Sequence, residues 1–170
     1  MIWFTSDLHL GHRVVVNMCE RPFETVEEMN EILIQNFNSC VKKNDTVYIL
    51  GDIAHRIPVA DANHMISRLN GKKILCKGNH DKIYDETLFE KVCDFLEISV
   101  NGINVSLMHY PMMSWPKSRH GSLHLHGHIH SRGDYNLQQK SDGILRYDVG
   151  VDANNFYPVS IEQVKDFFDE

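Results

Sequence analysis

The sequence predicts an α/β fold of two packed mixed sheets with helices outside, and three observations carry that prediction. Short apolar runs alternate with amphipathic segments through the first half of the chain, in the order β-α-β-α-β. A strong hairpin signal then changes the pattern. No linker, repeat or low-complexity tract marks a place where a second domain begins, so the 170 residues are read as a single domain over 1–170.

Ile2 to Ser6 is the first buried-strand candidate, and a loop runs from it through Arg21-Pro22. Thr25-Val26-Glu27-Glu28 fits a capping box, so a helix starts at Thr25. Met29, Ile32, Leu33, Phe37, Cys40 and Val41 then recur at helical spacing and give that helix one apolar face. Thr46 to Leu50 reads as the next strand. A helix from about Pro58 to Leu69 ends at Asn70-Gly71, and Lys73 to Lys77 is again a strand. A short helix is expected around Glu86 to Val92. Phe95 to Val100 and Ile103 to Met108 flank Asn101-Gly102 and predict a hairpin, hence a second and more antiparallel sheet. Ser122 to His126 and Ile144 to Val149 are further strands, and Ser160-Ile161-Glu162-Gln163 is a second capping box opening a C-terminal helix.

Composition narrows the function classes. With 42% hydrophobic and 24% charged residues the chain is not of the disordered type. The longest stretch without Asp, Glu, Lys or Arg, Ile98 to Pro116, is broken by polar residues and prolines, which excludes a membrane-spanning helix. Met1 leads directly into Ile2-Trp3-Phe4 with no basic leader, so the expected compartment is the cytoplasm. Cys19, Cys40, Cys76 and Cys93 form no CxxC pair and read as reduced core residues. A net charge of −6 opposes non-specific attraction to nucleic acid or anionic membrane. Yet Ile98 through Gly133 contains no acid, while it holds Lys117, Arg119, Arg132 and six of the 11 histidines, a local preference for an anion or a metal.

Metal-ligand residue types recur just past the expected strand ends. Asp7 and His9 follow the first strand, Asp52 the second, and Asn79, His80 and Asp81 the third; His109 ends the hairpin, and His126, His128 and His130 follow the next strand. Ligands of open α/β sheets gather at the carboxyl ends of the strands, so five strand ends converge on one pocket. Asp7-Leu8-His9 and His128-Ile129-His130 place donors two residues apart, on one side of an extended chain. Gly51, Gly78 and Gly127 precede ligand positions and permit close approach or positive φ. Carboxylate, imidazole and amide without thiolate suit Mn, Fe, Zn, Ni or Co. Asp7, His9, Asp52, Asn79, His109, His128 and His130 are too many for one open catalytic ion, and sharing Asp52 between two divalent ions resolves the count.

The series Asp7-x-His9, Gly51-Asp52, Gly78-Asn79-His80-Asp81, His109 and Gly127-His128-x-His130 resembles the calcineurin-like metallophosphoesterases. With Gly11-His12, Arg21-Pro22-Phe23, His109-Tyr110-Pro111 and Val149-Gly150-Val151-Asp152 it is similar to their small, single-domain bacterial or phage members. The resemblance implies a four-layer α/β/β/α sandwich. It assigns Asp7, His9 and His130 to a first metal, Asn79, His109 and His128 to a second, and Asp52 to both. It further implies hydrolysis of a phosphomonoester or phosphodiester, a nucleotide or cyclic nucleotide among the candidates, by a metal-bridging hydroxide, with His80 donating a proton to the leaving oxygen or stabilising the phosphoryl oxygens and Asp81 orienting the His80 ring.

Other residues keep two readings each. His12 lies beside the metals or stabilises the turn after Gly11; Arg21 binds phosphate or closes its loop. Trp115, Lys117 and Arg119 form a substrate wall for a nucleotide or phosphate, or an ordinary loop with Trp115 packed on the core. His124 and His126 share one strand face and are assigned to no metal, with His126 either lining the pocket or structural like His124, while His55, His64 and His120 carry no pattern and read as solvent-facing. The expected partner is a small phosphate ester. A nuclease on single-stranded nucleic acid is disfavoured by the charge, and a metal-free scaffold by the presence of every ligand. Oligomeric state stays open.

Overall fold

The computed structural model describes residues 1–169. In chain order the elements are β1 (Ile2–Thr5), α1 (Arg13–Met18), α2 (Val26–Cys40), β2 (Thr46–Ile49), α3 (Val59–Ser67), β3 (Lys72–Cys76) and β4 (Lys91–Cys93). They continue with β5 (Phe95–Val100), β6 (Ile103–Met108), β7 (Leu123–His126), α4 (Asp134–Ser141), β8 (Arg146–Asp148), β9 (Val159–Ser160) and α5 (Ile161–Asp169).

Two sheets result, one ordered β4-β3-β2-β1-β9 and the other β5-β6-β7-β8. In the first, β1 to β4 are parallel and β9 runs antiparallel to β1. The two-residue strand period divides each strand's side chains between two cores. Trp3, Val47, Ile49 and Leu75 face α1, α2 and α3, where Val15, Met29, Leu33, Phe37 and Ile66 cover them. Phe4, Leu50 and Cys76 face the other way, against Val105, Leu107, Leu123 and Leu125 of the second sheet. The far side of the second sheet is closed by α4 and by Trp115, whose ring lies 5.4 Å from that of His124. The layers are therefore α/β/β/α.

Both capping boxes form, one with a change of partner. Thr25 Oγ1 accepts from Glu28 N, but Glu28 returns its bond to Glu24 N rather than to Thr25. At α5, Ser160 and Gln163 bond reciprocally. Two local expectations are corrected. Glu86 to Val92 is not a helix: Asp85 caps a single 3-10 turn over Glu86–Leu88, after which Glu90 N bonds Lys73 O and the chain is drawn onto the open edge of β3 as β4. The second sheet is mixed, as expected: β5 and β6 are antiparallel while β6, β7 and β8 run parallel. The segment after His12, expected as loop, carries α1; the segment after Gly133, for which no element was expected, carries α4.

Candidate metal centre

The carboxyl ends of β1, β2, β3, β6 and β7 open at one place, and the seven expected ligands follow them directly. They do not project from extended chain. Asp7, His9, Asp52, His128 and His130 hold φ of 58°, 51°, 54°, 74° and 46°, so alternate residues in the left-handed region turn Asp7 with His9, and His128 with His130, toward a common side. Backbone bonds fix these turns: Asp7 N donates to Gly51 O, His9 N to Asp52 O and Leu10 N to Ile53 O. Two glycines make the approach sterically possible. A Cβ on Gly78 would collide with Asp52 Oδ1, and one on Gly127 with Ser6 Oγ and Asp7 Oδ2.

Donor atoms of Asp7, His9 and His130 lie within 4.8 Å of one another, as do those of Asp7, Asp52 and His109. Asp52 Oδ2 is 3.5 Å from His9 Nε2 and 3.6 Å from His109 Nε2, which puts it between the two expected ligand sets. Asn79 Oδ1 is 3.1 Å from His109 Nε2, and the His128 ring centroid is 5.0 Å from that of His109.

Protonation shows what these atoms lack. His109 Nδ1 sits 2.7 Å from the Leu50 carbonyl, which can only accept, so the ring proton is on Nδ1 and Nε2 offers a lone pair to two oxygens. His130 has Nδ1 2.7 Å from Asp152 Oδ2 and Nε2 3.9 Å from Asp7 Oδ1. Asp7 Oδ1 and both His9 nitrogens are buried without a partner. Buried carboxylate and imidazole atoms without partners are costly unless a cation sits among them, and this donor set fits divalent metal. Burial pushes the Asp7 carboxyl up and the His9 imidazole down to about 2, so His9 is neutral and ready to coordinate. Burial opposes the charged form of His130 too, but its bonds to Asp152 and Cys19 and the Asp7 charge raise it to about 10.

Behind the ligands is a supporting layer. Arg21 is buried and does not bind phosphate; its guanidinium donates to Asp7 O, to Leu8 O and twice to Asp152, which in turn holds His130. Asp81 does not orient the His80 ring. Its carboxylate accepts from Asp52 N, Ile53 N, Gly78 N and Tyr84 Oη, clamping two ligand loops together. His80 is fixed by its own N–H, which donates to Asp52 Oδ1 at 2.9 Å, and by its ring, 3.9 Å from that of His55. His55 is therefore not solvent-facing. It packs edge-on against His12 at 4.4 Å, and His12 is 5.3 Å from His9, a continuous row of imidazoles. His12 is 5% exposed with neither nitrogen partnered, and burial holds it down to about 4.

The expected substrate wall does not form at the metals. Trp115 is buried with Nε1 donating to Ser122 O, and Lys117 bonds Asn104. Arg119 lines a separate cavity of about 460 Å³ with Trp115 and Arg146. Arg132 is paired with Glu20. His124 and His126 bond backbone carbonyls on the outer face of the second sheet and reach no expected ligand. Asp152, His55 and Arg21 in its bracing role are what the sequence reading missed; each has a partner remote in sequence or lies in a loop without pattern.

Comparison with known proteins agrees with this geometry. The family model described as calcineurin-like phosphoesterase matches residues 1–148. An uncharacterized protein of Methanocaldococcus jannaschii is 34% identical over 169 residues, covering 96% of this chain and 88% of that one. The gene 66 protein of Mycobacterium phage L5 is 31% identical, with 76% and 77% covered. Among solved structures, a protein of unknown function from Aquifex aeolicus superposes with a TM-score of 0.78 at 26% identity, covering 98% of each chain. An archaeal phosphodiesterase, at 18% identity and a TM-score of 0.51 over 88% of this chain and 82% of that one, shares the fold. A match over residues 1–148 takes in β1 through β8 and every expected ligand, so the chain belongs to the calcineurin-like phosphoesterase family.

Proposed function

We propose that this protein is a metal-dependent phosphoesterase that hydrolyses a small phosphomonoester or phosphodiester with two divalent ions of the Mn, Fe, Ni, Co or Zn class. The observation that carries the reading is the convergence of donor atoms of Asp7, His9 and His130, and of Asp7, Asp52 and His109, each set within 4.8 Å, with Asp7 Oδ1 and both His9 nitrogens buried and without a hydrogen-bond partner. Asp7, His9, Asp52 and His130 would hold one ion, and Asp52, Asn79, His109 and His128 the other. When bound, such ions supply Lewis acidity, drawing electron density from the phosphoryl oxygens and acidifying water in the site.

The chain's own residues do the rest. His80, half-buried with its ring tilted 40° against that of His55, donates a proton from its imidazole to the leaving oxygen. Its backbone bond to Asp52 Oδ1 ties that donor to a ligand carboxylate. Asp81 and Arg21 hold the ligand loops in register. A small ester is favoured over nucleic acid because the net charge is −6 and two cations of the acid-free stretch, Lys117 and Arg132, are engaged by Asn104 and Glu20. The cytoplasm is the compartment this reading assigns, in keeping with four unpaired cysteines among the described residues.

The test is hydrolysis of monoester and diester reporters side by side over the metal series, with metal content measured on each variant. Asp52→Ala is expected to lose both turnover and one or more ions. His80→Ala is expected to retain its metal and lose about 10²–10⁴-fold in kcat. Full turnover by Asp52→Ala would overturn the assignment.

A further inference from the structure

The edge of the first sheet carries a feature that the metal chemistry does not use. Cys76 ends β3, Cys93 ends β4, and the two are register partners in the parallel ladder, with Sγ atoms 3.6 Å apart. Cys76 is fully buried between the sheets, whereas Cys93 is half-buried on a strand of three residues that is paired on one side only. Adjacent strands lie about 4.7–4.9 Å apart, inside the ~4.4–6.8 Å Cα separation that a disulfide spans, so side-chain rotation alone can join the sulfurs.

We propose that Cys76 and Cys93 are a reversible dithiol–disulfide pair, a modification site at the sheet edge that a low-molecular-weight disulfide oxidises. The Cys93 thiolate attacks one sulfur of the small disulfide, forming a mixed disulfide and releasing one thiolate. Cys76 then attacks the Cys93 sulfur, forming the Cys76–Cys93 bond and releasing the second thiolate. The two protons lost by the cysteines end on the two released thiols, and the two electrons given up by the pair reduce the small disulfide.

The local electrostatics suit those roles. Cys93 is held below the usual thiol range by its hydrogen bond with Cys76 and by the positive charge of Lys91 and Lys77, while its Sγ also reaches Leu75 O at 3.6 Å. Cys76 is pushed up by the same bond, by burial and by the Cys93 charge, so consuming that charge in the first step eases the second. The bond would staple β4 to β3 directly before Lys77-Gly78-Asn79, where Lys77 N already donates to Cys93 O at 2.8 Å. Cys19 and Cys40, half-buried elsewhere and without a cysteine partner, serve as internal references.

The experiment incubates the full folded chain with graded ratios of oxidised to reduced glutathione, alkylates the remaining thiols and maps the peptides by mass spectrometry. A Cys76–Cys93 link reversed by dithiothreitol is expected. With Cys76→Ser, the Cys93 glutathione adduct should persist, because the resolving thiol is gone. With Cys93→Ser, Cys76 should stay unmodified at the same ratios. Circular dichroism confirms that each variant is folded. Free thiols at both positions under conditions that modify Cys19 or Cys40, a Cys93 adduct that never closes in the unsubstituted chain, or a link to another cysteine would each overturn the proposal. None of these readouts depends on phosphoesterase activity.

Discussion

Asp152 shows what single residues contribute around the metal centre. Burial alone would raise its carboxyl, but the His130 and Arg21 bonds hold it below the ordinary range, so it stays ionised and fixes the orientation of the His130 ring through Nδ1. Partners of this kind set ligand orientation and basicity, and Asp152→Asn is expected to weaken metal binding about 10–100-fold by titration calorimetry while the fold persists. His124 tests burial on a histidine outside the site. Its Nδ1 faces Ser106 O and its Nε2 accepts from Met112 N, and burial holds the ring down to about 4. Between pH 6.5 and about 4 the unfolded chain takes up a proton that the folded chain refuses, so stability falls as pH falls through that window, by about 3 kcal/mol from this group. Thermal melts of the apo protein over that range should show a shallower slope for His124→Gln than for the unsubstituted chain. The ligands themselves were legible because carboxylate and imidazole at strand ends have few other uses. Arg21, Asp81 and His55 were not, because the roles of the first two rest on carbonyls and amides anywhere in the chain, and His55 lies in a loop of no periodicity.

Elements with their own local signals were read correctly. Thr25 and Ser160 announce their helices through side-chain bonds only three residues long, and Asn101-Gly102 specifies the hairpin by turn geometry. Thr25→Ala is expected to cost about 1 kcal/mol in denaturant unfolding, with metal content unchanged. Where a tertiary partner decides, the sequence is silent. The Glu86 segment becomes β4 because the edge of β3 is open to it, and α4 carries only polar buried residues, Asn136 and Gln139, so no apolar stripe marks it. Loop elements around the ligands are the least tolerant. Gly127→Ala would drive a methyl group into Ser6 and Asp7, and its melting temperature is expected to fall together with metal occupancy.

At the scale of the whole molecule, the alternation of strands and helices revealed two sheets, but the direction of β7 and β8 depends on crossovers whose packing no short-range pattern encodes. In the metal-free protein the site gathers protons instead: Asp7 and His130 are both raised. Metal must displace those protons, so affinity should rise with pH, and acidification should release metal. Ligation also favours the folded chain, by about 4 kcal/mol at a free-metal concentration ~1,000 times Kd, so a chelator is expected to lower the melting temperature and manganese or zinc to restore it. An unchanged melting temperature across chelation and reloading would contradict a site held by buried side chains.

Asp7, His9, Asp52 and Asn79 stand on the first sheet, and His109, His128 and His130 on the second, so each proposed ion draws ligands from both. The Ser6 to Gly150 bridge joins the sheets at the same end. That arrangement has a mechanical consequence. Sliding one sheet over the other stretches metal–ligand distances that tolerate only tenths of an ångström. The loaded protein should therefore resist shear between its halves far better than the metal-free one, and a pulling experiment on single molecules would register the ions as an increase in rupture force.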